Sequence, residues 1–254
     1  MDKQAVEKAA GLLAGARQTG QLLENLPADA RPATTAQAHA IQDATVARLG
    51  DTVAGWKVMP PKGEVVRGVV LQSRLFASPA RVKALEVPLL GIEQEIAFRF
   101  DKAMPARATD YSRQEIEDSV TALVAIEIVD SRYRDYQNAP PIEKFADFCS
   151  NGGLVTGTAN PDWRKTDLSK LEAVLTFDGK VVHQGVGGHP TTDPLIGAIA
   201  LVNEMRKTEG IPAGRVVTTG TYTGMNYATP GQKVVATFTG FGKAEIEFLT
   251  LNGD

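Results

Sequence analysis

Apolar residues in the first fifty positions recur at intervals of three and four, the spacing of one helix face. The first such stretch runs from residue 6 to a break at Gly20, and the second covers residues 36–49. A pair of threonines precedes the second stretch and can cap its N-terminus, and Gly50 ends it. Each stretch also has a polar face, so we expect both helices to pack against other elements.

Beyond Gly50 the pattern changes to short runs of alternating or β-branched apolar residues, which predict strands. Asp178-Gly179 is a hairpin turn signal, the Ser112–Glu115 pattern opens a short helix, and Asp193-Pro194 begins a longer helix that we expect to end near Lys207. The predicted strands are 53–58, 65–71, 92–100, 123–129, 171–177, 180–184, 215–219, 233–239 and 244–249. This order predicts an α+β fold with a closed or sandwiched sheet. We expect residues 1–50 to form a helical segment packed on a β-rich catalytic domain of residues 51–254.

Composition excludes several classes of protein. The chain has 254 residues and a net charge of −3, and a nucleic-acid or membrane-surface partner usually requires a basic excess. A single cysteine, Cys149, rules out an internal disulfide. No stretch approaches the roughly 18 consecutive apolar residues of a membrane span. We therefore expect a soluble, cytoplasmic protein.

Three glutamates are the main candidates for chemistry. Glu93 and Glu95 are two residues apart in a predicted strand, so their side chains lie on the same face. Glu127 interrupts an otherwise apolar strand, where an ionised carboxylate is costly unless it is paired or binds a metal. Three carboxylates suit a hard divalent cation such as Mg²⁺. A solvated strand face and an ordinary salt bridge explain the same residues equally well from the pattern alone.

Lys57 lies between Trp56 and Val58 in a predicted strand. A buried lysine has an altered pKa and can transfer protons, whereas a lysine at the surface extends its ammonium into water. The three histidines have no histidine or cysteine at zinc-ligand spacing, and His39 is better interpreted as a packing residue.

Taken together and in order, the segments resemble the fumarylacetoacetate hydrolase-like superfamily, and more narrowly its hydratase and decarboxylase branch. The resemblance covers nearly the whole chain. The segments that carry it are Ala38-His39-Ala40-Ile41-Gln42, Gly55-Trp56-Lys57-Val58, Ile92-Glu93-Gln94-Glu95-Ile96-Ala97-Phe98, Ile126-Glu127-Ile128-Val129-Asp130-Ser131-Arg132, Gly188-His189-Pro190 and Ala213-Gly214-Arg215-Val216-Val217-Thr218-Thr219-Gly220-Thr221.

The resemblance implies a mixed β-roll core, a homo-oligomer, and a Mg²⁺ or Mn²⁺ ion bound by the three glutamates. Family substrates are 2-keto or 2-hydroxy-dienoic acids from aromatic ring cleavage. A metal that binds the substrate carboxylate and C2 oxygen stabilises the charge developing there. Lys57 is then the candidate for proton transfer or for orienting the carboxylate, and Thr219 and Thr221 for holding an anionic substrate end.

The chain departs from the family at one place. Family hydratases carry an acidic residue shortly after the lysine strand, but no acid lies between Arg67 and Phe76. Arg67 is a candidate for pairing with a second substrate carboxylate. Ser150, in a loop that loosely matches the family's Asp-X-X-Ser segment, is a further substrate-binding candidate.

The leading hypothesis is a metal-dependent hydratase of a 2-hydroxy-alka-2,4-dienoate. The nearest alternative is decarboxylation of an oxalocrotonate-type keto acid at the same site. C–C bond hydrolysis requires a water-activating base, usually a His–Glu pair, and His39 has no glutamate within five residues. The missing acid also leaves open a non-catalytic member that retains the fold and the metal.

Overall fold

The computed structural model describes residues 1–60 and 63–250. Within them the helices are α1 (Lys3–Thr19), α2 (Thr35–Leu49), α3 (Arg113–Glu117), α4 (Pro141–Ala146) and α5 (Leu195–Met205). The strands are β1 (Val53–Val58), β2 (Arg67–Leu71), β3 (Leu75–Ala77), β4 (Ala80–Lys83), β5 (Gly91–Phe100), β6 (Val120–Val129), β7 (Asn151–Asn160), β8 (Glu172–Phe177), β9 (Lys180–Val186), β10 (Val216–Thr221), β11 (Asn226–Tyr227), β12 (Lys233–Phe238) and β13 (Gly242–Leu249).

The two N-terminal helices begin and end where local capping chemistry dictates. The Thr34 side chain accepts a hydrogen bond from the Gln37 backbone N–H, and α2 ends at Gly50 in the left-handed conformation. Gly20 ends α1 in the same way. The helices pack on each other and on a small apolar cluster that includes Tyr133 and Ala146. The predicted helices therefore form and contact the rest of the chain.

The strands form two sheets, and the larger one curls into a half-barrel. Its order is β2-β1-β10-β5-β6-β7-β3, with β11 added beside β5, and it contains both parallel and antiparallel pairs. The smaller sheet has the order β4-β13-β12-β8-β9. The side chain of Gln94 in β5 donates to the carbonyl of Thr237 in β12, across the packed faces of the two sheets. This mixed α+β architecture confirms the predicted fold class.

The two faces of the curled sheet have different contents. Ile92, Ile96 and Phe98 belong to the main apolar core that the two sheets share. The opposite face carries a second, small cluster that includes Ala97, Ala125 and Val216. Because side chains alternate along a strand, Glu93 and Glu95 also lie on this second face.

The structure differs from the predicted elements in a few places. The helix that begins near Pro194 ends at Met205 and not at Lys207. Strand β7 was not predicted, because its Asn-Gly-Gly start is typical of a loop. It forms nevertheless, since β6 offers a fully buried partner strand on its open side. In the described part of the chain, no helix is long and apolar enough to cross a membrane.

Candidate functional site

The three glutamates converge on the inner face of the curled sheet. Each of Glu93, Glu95 and Glu127 offers one carboxylate oxygen, and these oxygens lie within 4.8 Å of one another. Glu95 and Glu127 are 1% and 0% exposed, whereas Glu93 is half-buried. The cluster arises because Glu93 is directly opposite Glu127 in the antiparallel β5–β6 pair. The structure therefore brings the three predicted ligands together, and their binding of a metal stays a prediction.

Lys57 joins the cluster from β1. Its Nζ atom lies 2.8 Å from Oε1 of Glu127, and the lysine side chain is 15% exposed. Burial by itself lowers the pKa of Lys57, but the negative charges of Glu127, Glu93 and Glu95 outweigh burial and raise it. Lys57 is thus a buried ammonium and not a lysine that extends into water.

The three carboxylates are close enough to repel one another. Burial, together with the negative charges of Glu127 and Glu93, raises the pKa of Glu95 to about 8. Burial is also the main reason why the pKa of Glu93 is raised. If all three were ionised, their charge would exceed that of the single Lys57 ammonium, and a bound cation would neutralise this excess.

The two carboxylate oxygens of Glu127 have different surroundings. Its Oε1 atom accepts from Lys57 and, at 3.0 Å, from the side-chain amide of Asn151. Its Oε2 atom is buried and has no hydrogen-bond partner among residues 1–60 and 63–250. A buried carboxylate oxygen without a partner is costly, and metal coordination would remove this cost. The donor set, all carboxylate oxygen, is the type that hard divalent cations prefer.

Strand β10 supplies the partners of Glu95. The hydroxyl of Thr218 and, at 3.1 Å, the backbone N–H of Gly220 both donate to its Oε2 atom. Gly220 has a φ of 133°, a conformation that favours glycine. Thr218 is not among the site residues predicted from the sequence. The alternation of side chains in β10 indicates which face Thr218 lies on, but only the pairing of β10 with β5 brings that face beside Glu95.

The remaining candidates lie around this centre. Thr219 is buried on the opposite face of β10, where its hydroxyl donates to the Pro194 carbonyl. Thr221 is directly opposite Glu95, and its hydroxyl is within 3.4 Å of the Gln94 carbonyl. The substrate-binding roles of both threonines stay predictions.

Arg67 and Ser150 are the other two predicted substrate-binding residues. Arg67 is opposite Val58 in the β1–β2 pair and not opposite Lys57, and its guanidinium lies 3.4 Å from Asp43 on α2. Ser150 is buried and directly precedes Asn151. Their roles also stay predictions.

His39 packs against β2 and accepts a hydrogen bond there. Its Nε2 atom accepts a hydrogen bond from the backbone N–H of Arg67 at 3.2 Å. Burial and the Arg67 charge lower the pKa of His39 to about 4. This arrangement agrees with the prediction of a packing residue and weighs against His39 as a hydrolytic base.

Comparisons with known proteins indicate the family to which the chain belongs. The family model for the fumarylacetoacetate hydrolase C-terminal region matches residues 66–248. The chain is 30% identical to a 4-oxalocrotonate decarboxylase from Pseudomonas sp over 146 residues, 56% of this chain and 54% of the relative, so this alignment spans about half of the relative's length. It is also 30% identical to a 2-keto-4-pentenoate hydratase from Paraburkholderia phymatum over 180 residues, 68% of each chain.

A solved structure supports the same fold. The 4-oxalocrotonate decarboxylase from Pseudomonas putida G7, complexed with calcium and acetate, aligns with a TM-score of 0.83 at 21% identity, covering 98% of this chain and 99% of that one. The relatives are enzymes whose names include both the leading function and its nearest alternative. The family match covers well over half of the sequence. The chain belongs to the fumarylacetoacetate hydrolase C-terminal family.

Proposed function

We propose that this protein is a divalent-metal-dependent hydratase that adds water to a 2-hydroxy-alka-2,4-dienoate, such as the 2-keto-4-pentenoate type. The observation that carries the proposal is the cluster of Glu93, Glu95 and Glu127. In it, Glu127 pairs with the Lys57 ammonium through Oε1, and its buried Oε2 atom has no partner in the described part of the chain. Relatives named as hydratases support the substrate class. The neighbour bound to calcium supports a divalent metal, and the hard oxygen donors favour Mg²⁺ or Mn²⁺.

Each part of the site has a task in this reaction. A bound divalent cation supplies Lewis acidity that stabilises negative charge on a substrate oxygen. Glu93, Glu95 and Glu127 would hold the cation. Lys57 Nζ, held by Glu127, would bind the substrate carboxylate, and it would donate a proton as the dienol is converted to its keto form once a cation offsets the carboxylate charges that raise its pKa. Water then adds to the distal carbon of the unsaturated ketone.

Decarboxylation of an oxalocrotonate-type keto acid is the second candidate. A relative and a solved structure named 4-oxalocrotonate decarboxylase support it. The absence from the sequence of an acid between Arg67 and Phe76 supports it as well. The two reactions make similar demands on the site. The electrons released as CO₂ leaves must also be stabilised, on the keto oxygen beside the carboxylate that remains.

The experiment that separates the two uses chelator-treated protein. With Mg²⁺ restored, 2-hydroxypenta-2,4-dienoate should lose its dienol absorbance, and NMR should identify a 4-hydroxy-2-keto acid. Without Mg²⁺ the absorbance should decay only at the uncatalysed rate. If this substrate is stable while 2-oxo-hex-3-enedioate releases CO₂, the decarboxylase replaces the hydratase. If neither substrate reacts, both proposals are wrong, and a non-catalytic metal-binding protein is favoured.

Three further expectations stay proposals. We propose a cytoplasmic homo-oligomer, because the family resemblance implies assembly. We also propose that residues 1–50 are a helical segment packed on a catalytic domain of residues 51–254, which the contacts of α1 and α2 with Tyr133 and Ala146 support. Size-exclusion chromatography with light scattering tests the oligomer directly.

A further inference from the structure

A strained turn connects α4 to strand β7, beside the carboxylate cluster. Phe148, Cys149 and Ser150 have φ values of 53°, 52° and 61°, so three consecutive residues other than glycine are left-handed. This conformation is unfavourable for L-residues with a side chain, and it persists only where the surroundings enforce it. The turn is also tightly enclosed, because a Cβ atom on Gly68 of β2 would lie 2.1 Å from the Phe148 carbonyl oxygen.

Two arginines hold both ends of this turn. At its start, Oδ1 of Asp147 accepts from Arg17 Nη2 and from Arg132 Nε, both at 2.8 Å. At its end, the Asn151 carbonyl accepts from both Nη atoms of Arg17 at 3.3 Å and from Arg132 Nη2 at 3.4 Å. The Arg17 guanidinium also lies 4.2 Å from the centre of the Phe148 ring. Arg17 therefore contacts the start, the middle and the end of the turn.

These charges are buried. The side chains of Arg17, Arg132 and Asp147 are 10%, 5% and 0% exposed, and Asp130, which also pairs with Arg132, is 4% exposed. Buried ion pairs add little net stability compared with apolar packing, because removing the charges from water is costly. A role in fixing geometry accounts for the group better than a role in stability alone.

Asn151 connects Arg17 to the proposed metal site, because Arg17 binds its carbonyl and its side chain contacts Glu127. Asn151 donates from its side-chain amide to Glu127 Oε1 at 3.0 Å. We propose that Arg17 is a positioning residue for the metal site, which acts through the strained turn and Asn151 on the orientation of Glu127. The inference rests on the proposed metal site. It adds to the site a residue of α1, outside the 66–248 region that the family model matches.

The test measures Mn²⁺ affinity of chelator-treated protein by electron paramagnetic resonance, with no substrate present. Arg17→Met should weaken Mn²⁺ binding by about 10- to 100-fold, the usual effect of losing an outer partner of a metal ligand. Arg17→Lys should recover only part of this loss, because an ammonium cannot bridge a carboxylate and a carbonyl as a guanidinium does. Arg48→Met is the matched control, since Arg48 pairs with Glu7 at the exposed α1–α2 contact, and its affinity should equal wild type.

The outcomes are separable. A folded Arg17→Met protein with wild-type Mn²⁺ affinity overturns the proposal and makes the arginine purely structural. If Arg17→Met does not fold, Arg17→Lys decides: wild-type affinity overturns the proposal and weakened affinity supports it. If wild type binds Mn²⁺ but converts no dienoate, the enzymatic proposal fails while the affinity test of Arg17 still applies. If wild type binds no Mn²⁺, the metal site and this inference fall together.

Discussion

Glu93 and Glu127 lie directly opposite each other on antiparallel strands, with their side chains on the same inner face of the curled sheet. Like charges at directly opposed positions destabilise a strand pair. The pair is accommodated because Lys57 neutralises part of the charge, and a divalent cation would neutralise the rest.

Replacing Glu93 by glutamine should weaken metal binding strongly while the fold persists, because Glu93 is only half-buried. We expect Mn²⁺ affinity to fall by more than about 100-fold, since changes to outer partners alone cost about 10- to 100-fold. Isothermal titration calorimetry measures it. Glu247→Gln is the control, because Glu247 pairs with Arg81 at the surface. Unchanged affinity in Glu93→Gln would remove that residue from the metal site.

Lys57→Met should separate metal binding from turnover. Loss of the ammonium removes a positive charge that competes with the cation for Glu127, so Mn²⁺ affinity should be retained or increased. The turnover rate with dienoate and Mg²⁺ should fall by about 10²- to 10⁴-fold, the usual contribution of a positioned proton donor or acceptor. Lys233→Met is the control, since Lys233 pairs with Glu245 in an exposed position. A Lys57→Met enzyme with the wild-type rate contradicts the assigned role.

The neighbours Thr218 and Thr219 provide a matched pair on opposite faces of β10. Thr218→Val removes a donor to Glu95 and should lower Mn²⁺ affinity by about 10- to 100-fold. Thr219→Val removes the bond to the Pro194 carbonyl, so it should lower the free energy of unfolding by about 1 kcal/mol and leave Mn²⁺ affinity unchanged. The opposite pattern would mean that the two faces are assigned incorrectly. A raised KM in Thr219→Val would support its predicted contact with substrate.

His39 should make stability depend on pH. Its pKa is about 4 in the folded protein, against about 6.5 in an unfolded chain. Between pH 7 and pH 5 the unfolded chain therefore binds more protons, and the free energy of unfolding falls as the pH falls. His39→Gln keeps an acceptor for the Arg67 N–H but does not titrate, so its urea midpoint should fall less over this interval.

His183→Gln serves as the control for this pH dependence, because His183 is half-exposed on β9. Its urea midpoint should show the full wild-type decrease between pH 7 and pH 5. An equal decrease in His39→Gln would show that other groups account for the pH dependence.

The sequence by itself determined the features that depend on near neighbours. Threonine and glycine signals set the ends of α2, and the alternation of β5 put Glu93 and Glu95 on one face. These predictions succeed because capping and side-chain alternation are properties of a few consecutive residues. The family resemblance extended them to Glu127 and Lys57, which the pattern alone left open.

The tertiary structure decided which strands are neighbours, and with that the partners of each carboxylate. Thr218 reaches Glu95 because β10 pairs with β5, and Asn151 reaches Glu127 because a strained turn leads into the unpredicted strand β7. Arg17, more than a hundred residues away in sequence, holds that turn. Strand order and turn geometry depend on how the apolar faces of the whole chain pack, and no local pattern contains this information.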